Sequence, residues 1–145
     1  MGFETLLLTG IAQLLATAGL GTWRDTGVYA AAETGIVFDT VPASPDRVIT
    51  LTDYVISDDP TLSDSVIGVQ VRTRWGGQDP RPVKDLDGSI FDVLHGLEGV
   101  DLVGGIRIVS MFRRSGTSMG QDTNNRWGRS SNYYATVHRP STNRS

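Results

Sequence analysis

The stretch "SVIGVQVRTRW", Ser65 to Trp75, decides the fold. Ile67, Val69, Val71, Thr73 and Trp75 fall on one side of an extended chain, and Gly68, Gln70, Arg72 and Arg74 on the other. Side chains alternate in this way only along a strand. The segment therefore predicts a β-strand with one face against a core and the other facing water or a partner. Upstream, "RVITLTDYVI" (47–56) is β-branched and apolar on both faces, which predicts a central strand. "SDDPTLSD" (57–64) joins the two as a hairpin loop with Pro60 at its tip. Further strands are predicted at "GIVFDT" (35–40), "GIRIVSMFRR" (105–114) and "SNYYATVHR" (131–139), the last stopped by Pro140.

Two helices frame these strands. Phe3, Leu6, Leu7, Gly10, Ile11, Leu14, Leu15 and Ala18 recur at helical spacing, with Glu4 and Gln13 on the opposite side. "GLG" (19–21) supplies a left-handed stop, with Leu20 as the apolar contact after it. "GGQDPRP" (76–82) breaks the sheet, and a second helix is predicted from Val83 to Leu97. The expected architecture is α+β in two layers: about five mostly antiparallel strands with two helices on one face. One domain is expected over 1–139, followed by a loose C-terminal tail over 140–145.

Between the last two predicted strands lies "RRSGTSMGQDTNNRWGRSSN", Arg113 to Asn132. It has two large apolar residues, Met119 and Trp127, and four arginines, so it reads as a polar loop. Ordering such a loop costs about 1–2 kcal/mol per residue. Its own packing returns little of that, so a partner is expected to.

Charge is unevenly spread. Residues 1–65 hold nine acids and two arginines (−7), residues 66–105 six acids and four bases (−2), and residues 106–145 seven arginines and Asp122 (+6), giving the net −3. Twelve of the thirteen basic residues are arginine, whose planar fork favours bidentate pairing at interfaces. Arginines interleaved with Trp127, Tyr133 and Tyr134 could grip a nucleic-acid backbone. The acidic whole, pI about 5.2 with Lys84 as the lone lysine, favours a protein's carboxylates instead.

Signatures of chemistry are missing. Cysteine is absent, which excludes disulfides and thiolate chemistry. His95 and His138 lie on separate elements without a carboxylate at ligand spacing, and each reads as structural. "KDLDGS" (84–89) has its glycine at the wrong position for a calcium loop. Nucleophile-elbow, phosphate-loop and dinucleotide patterns do not occur. No run reaches the ~20 apolar residues of a membrane span. "MGFETL" lacks the Ser or Thr of a myristoylation site, and the first segment reads as a folded helix rather than a signal peptide. Neither enzyme activity, cofactor, metal nor membrane contact is expected.

The order of segments resembles a known family. "LLLTGIAQLLATAGLGTWR", "PDRVITLTDYV", "DDPTLSDSVIGVQVRTR", "DLDGSIFDVLHGL" and "GIRIVSMFRRSGTSMGQDTNNRWGRSSNYYATV" together look like the tail terminator (minor capsid) proteins of long-tailed bacteriophages. The most telling pieces are "GLGTWR", "GVQVRTR", and Gly120, Asp122 and Arg126 before the last strand. The resemblance implies a two-layer α+β fold and a hexameric ring that caps the tail tube and ends its polymerisation. Partners would be other copies of the chain, the tail tube protein and the head connector or stopper. DNA would pass through the ring without specific binding, and no residue would be catalytic. The setting would be the virion neck, with assembly in the host cytoplasm. The alternatives are another neck component, a stopper or an adaptor, and, further off, a nucleic-acid-binding module. A ring needs two unlike patches per copy. The expected interface is therefore Arg113, Arg114, Arg126, Trp127 and Arg129 reaching carboxylates such as Asp58 and Asp59 of a neighbour.

Overall fold

The computed structural model describes residues 1–144. Helix α1 (Phe3–Thr17) leads into β1 (Thr22–Trp23), β2 (Gly35–Phe38), β3 (Val48–Asp58) and β4 (Asp64–Gly76). Helix α2 (Arg81–Leu94) follows, then β5 (Glu98–Asp101), β6 (Arg107–Gln121) and β7 (Arg126–His138). All seven strands join one sheet in the order β1-β2-β3-β4-β7-β6-β5, so the stretch quoted first forms its central strand.

The fold class α+β holds, but the expected five-stranded sheet is corrected to seven strands. The two additions, β1 and β5, have two and four residues, too few to carry an alternation. Both are edge strands. The pairings of β1 with β2 and of β2 with β3 are parallel, while the other four are antiparallel. The parallel step from β2 to β3 is made by the short loop 39–47. Three arginines fasten it by donating to its carbonyls: Arg72 to Asp39 (2.7 Å), Arg74 to Asp46 (2.9 Å) and Pro45 (2.6 Å), and Arg126 to Ala43 (2.6 Å).

Ile67, Val69 and Val71 of β4 meet Ile49 and Leu51 of β3 and Tyr133, Ala135 and Val137 of β7 on one face. Leu7, Ile11 and Leu15 of α1 and Leu86, Ile90 and Leu94 of α2 complete the core there. Each such side chain contributes roughly 1.5–3 kcal/mol when fully buried. Helix α1 ends as its sequence implies. Gly19 takes φ +79°, its N–H bonds to Ala16 O, and Leu20 N–H bonds to Leu15 O at 3.0 Å. Helix α2 stops at Leu94, three residues short of expectation, because His95 turns extended and Gly96, at φ +87°, sends its N–H to Met111 O of β6.

On the opposite face Tyr54, Gly68, Tyr134 and Phe112 form one lateral row across β3, β4, β7 and β6. The Tyr54 ring lies flat on Gly68, where a Cβ would stand 2.3 Å from it. Phe112 meets Tyr134 edge-on at 5.8 Å.

The segment 113–132 is not a loop. It is the outer arm of the β6–β7 hairpin, turning only at Asp122–Asn125, with Asn125 in the left-handed region at φ 59°. Strand β7 pairs with β4 as far as Arg126 opposite Gly76, so ladder hydrogen bonds on both sides of β7 offset the ordering entropy. Its β6 half reads as polar because Arg114–Met119 is exposed throughout, and its β7 half because Arg129 and Ser131 meet the Asp87 carboxylate of α2. At the C-terminus, Arg144 donates to Asp59 O, Ser65 Oγ and Arg139 O, which ties the expected tail to the hairpin loop and β4. Ser145 lies outside the described residues.

Candidate assembly interface

The sheet leaves two strand edges open. On β3, pairing with β2 ends at Leu51, and the outer side from Thr52 to Asp58 carries no strand among the described residues. On β6, pairing with β5 covers Arg107–Ser110, Leu97 O accepts the Met111 N–H at 2.9 Å, and His95 Nδ1 accepts the Arg113 N–H at 3.0 Å. Beyond that, Arg114–Gln121 has no strand on its outer side among the described residues. Three bulges, between Ile108 and Ser110, Arg113 and Ser115, and Ser118 and Gly120, twist β6. Arg114 occupies the middle one. Both edges expose apolar side chains, Val55 and Ile56 on β3 and Phe112 and Met119 on β6.

The expected interface residues have divergent fates. Arg129 and Arg113 converge on Asp87 of α2, whose carboxylate is almost fully buried. Arg129 Nε lies 3.2 Å from Oδ2, Arg113 Nη1 3.9 Å, and Ser131 Oγ donates to Oδ1 at 2.8 Å. The Arg113 guanidinium also stacks 4.3 Å over Phe91, which in turn stacks on His95. Arg126, 9% exposed, bonds through Nε to Asp122 Oδ2 at 2.9 Å and lies 3.5 Å from Asp46. Trp127 Nε1 donates to Gln78 O at 2.9 Å. These four residues fasten the arm to its own subunit. Reversing Arg126 or Arg129 would disturb that fastening before it reported on any neighbour. Arg114 is exposed, and among the described residues its side chain has neither ion pair nor hydrogen bond.

The acidic side is also sorted. Asp59 accepts from the Thr61 hydroxyl and N–H at 2.7 and 2.8 Å, which holds its carboxyl below its ordinary range. Glu4 takes Arg139 at 2.7 Å, and that guanidinium lies 4.4 Å over Phe3. Asp58 closes the open edge of β3, exposed and without an ion pair among the described residues. Much of the −7 and +6 imbalance is thus spent inside the subunit. On the two open edges, Arg114 on one side and Asp53 and Asp58 on the other remain without an ion pair among the described residues.

The family model described as "Bacteriophage tail terminator protein" matches residues 14–139. The chain belongs to the bacteriophage tail terminator family. It is accordingly a structural protein of the phage tail. The fold of this tail terminator is similar to that of a chain in a solved structure titled "Virion of native gene transfer agent (GTA) particle". That match has TM-score 0.66 and 20% identity, covering 92% of this chain and 96% of that one. No curated protein matches it.

Asp87 escaped the sequence reading although its signal was present. It stands four residues after Val83 and three before Ile90, on the apolar stripe of α2, where a carboxylate must find a cation. His95 as a cap for the β6 edge left no such trace.

Proposed function

We propose that this tail terminator closes into a ring, hexameric as the resemblance implies, that caps the tail tube, ends its polymerisation and joins the tail to the head connector or stopper. The observation that supports it is the pair of unlike open edges. Strands β3, β4, β7 and β6 alternate in direction, so β3 and β6 run opposite ways. Rotation about an axis along the strands sets β6 of one copy beside β3 of the next as an antiparallel pair. Such heterologous contact closes rings. Each edge on its own is a liability that invites pairing. Arg114 stands level with Thr52 and Asp53 across the sheet. It would then approach Asp53 of the neighbour, with Phe112 and Val55 burying apolar surface, while Asp58, farther along β3, lies beyond its reach. The remaining expected residues, Arg113, Arg126, Trp127 and Arg129, act by holding the arm in place, and Asp59 by shaping the loop after β3. The ring's role is mechanical, with DNA passing through it and no catalysis.

A charge exchange tests the pairing. Arg114→Glu and Asp53→Lys should each lower the ring fraction in sedimentation or native mass measurements, and the double variant should recover most of it. High salt should mimic the single changes. A ring population indifferent to all three variants defeats the edge pairing, and a chain that stays monomeric even on tube ends defeats the ring.

A further inference from the structure

A cavity of about 210 Å³ opens on the helix-free face, between β3–β4 and the tip of the β6–β7 arm. That exceeds the ~30 Å³ a water occupies and admits an amino-acid side chain or chain end. Val41, Val48 and Met119 give it apolar walls, and Met119, 58% exposed, is the adaptable residue among them. Its polar floor is unusual. Thr50 and Arg72 are a directly opposed pair across β3 and β4, so both side chains stand on this face. Thr50 is 1% exposed, and neither its Oγ1 nor the buried Nε of Arg72 has a hydrogen-bond partner among the described residues. Buried polar groups are satisfied in the great majority of cases, and two adjacent exceptions on residues that line one cavity, both atoms closed to water in the free protein, mark a place built for something else.

We propose that this cavity binds a carboxylate on a short aliphatic stem, presented by a partner polypeptide. The donor set dictates the class. A guanidinium Nε–H only donates, and a threonine hydroxyl with no acceptor nearby is free to donate. Two donors on neighbouring strands match the two oxygens of a carboxylate, which only accepts. The surrounding charge has the matching sign: Arg72, Arg74 and Arg126 line the cavity against one lining carboxylate, Asp122, which already holds Arg126. Asp46, outside the lining, is 3.5 Å from Arg126. The apolar walls suit the stem. Once the Thr50 and Arg72 side chains turn toward the cavity, the bound group would satisfy both orphaned atoms at once, so the free protein gives up some stability for the site.

The test uses ¹⁵N-labelled full-length protein and three probes. N-acetyl-leucine presents a chain-end carboxylate, N-acetyl-glutamate amide a side-chain carboxylate, and N-acetyl-leucinamide neither. At least one acid should move the Arg72 Nε–Hε signal and the Thr50 amide saturably, and the better of the two names the source. The neutral amide should leave both signals in place. Thr50→Val should weaken binding at least about tenfold while raising Tm, because a methyl group replaces an unpartnered hydroxyl. Thr50→Ser should retain binding. Equal response to acid and amide, no saturable response, or full binding by Thr50→Val overturns the proposal. None of these outcomes depends on ring formation.

Discussion

The β6–β7 hairpin contains two regions built on opposite terms. At its base, Ile108, Met111, Tyr133, Ala135 and Val137 are buried against the helices. In its arm, from Arg114 to Met119, every residue is exposed, and only hydrogen-bonded pairing with β7 holds the strand. The boundary falls between two adjacent arginines. Arg113 is locked between Asp87 and Phe91, while Arg114, displaced by the bulge, meets nothing in its own subunit among the described residues. A residue type does not announce its role. The same guanidinium fastens the fold where a carboxylate lies beneath it and remains available for assembly where none does.

The largest effect separating base from arm should come from Asp87. Asp87→Ala removes a buried carboxylate from Arg129, Arg113 and Ser131 at once. Breaking a buried pair costs about 3–5 kcal/mol. Arg129 and Arg113 keep partial access to water, with side chains 25% and 35% exposed, so the lower end, about 3 kcal/mol, is expected. Urea denaturation measures it. Arg114→Ala should stay within about 0.5 kcal/mol of the parent. Equal losses in the two variants would erase the distinction between base and arm.

A smaller effect is expected where the arm's far end touches the body. Arg126→Ala frees the Ala43 carbonyl and the Asp122 carboxylate and loosens the loop 39–47. A hydrogen bond to a charged group contributes about 1.5–3 kcal/mol, so a loss of about 2 kcal/mol is expected. Amide exchange should accelerate in 39–47 and in the turn 122–125, and remain slow at Tyr133–Val137. Acceleration throughout β7 would mean that base and arm unfold as one unit.

Base and arm also differ in how far the sequence revealed them. Alternation in 65–75 and the helical spacing of Phe3–Leu15 made the core elements legible, because burial imposes a period. Alternation vanished in 115–121, where both faces of the strand are wet, and the same chemistry that makes a loop polar made this strand polar. The turn signal was there nonetheless: "DTNNR" places asparagines at the hairpin tip, and Asn125 adopts the left-handed conformation they favour. The arginines were legible as a group bound for carboxylates. Which carboxylates they reached was not, because Asp87, Asp46 and Glu4 are brought to them only by the folded chain.

The smallest effect should appear at the tip. Asp122 accepts the backbone N–H groups of Asn124 at 2.8 Å and Arg126 at 3.0 Å, and the Arg126 side chain at 2.9 Å. The N–H of Arg126 is the main cause holding its carboxyl below the usual range, with the N–H of Asn124 and the Arg126 side chain adding to it. A carboxyl depressed on folding contributes stability that is complete above its unfolded value, about 3.9. That contribution is lost as pH falls through the folded value. Between pH 5 and pH 2, the protection factors of the turn amides at Asn124 and Arg126 should therefore fall. In Asp122→Asn they should start lower and stay level, because that side chain does not titrate. Parallel declines in both proteins would place the acid sensitivity elsewhere and leave the arm's tip closed by its ladder alone.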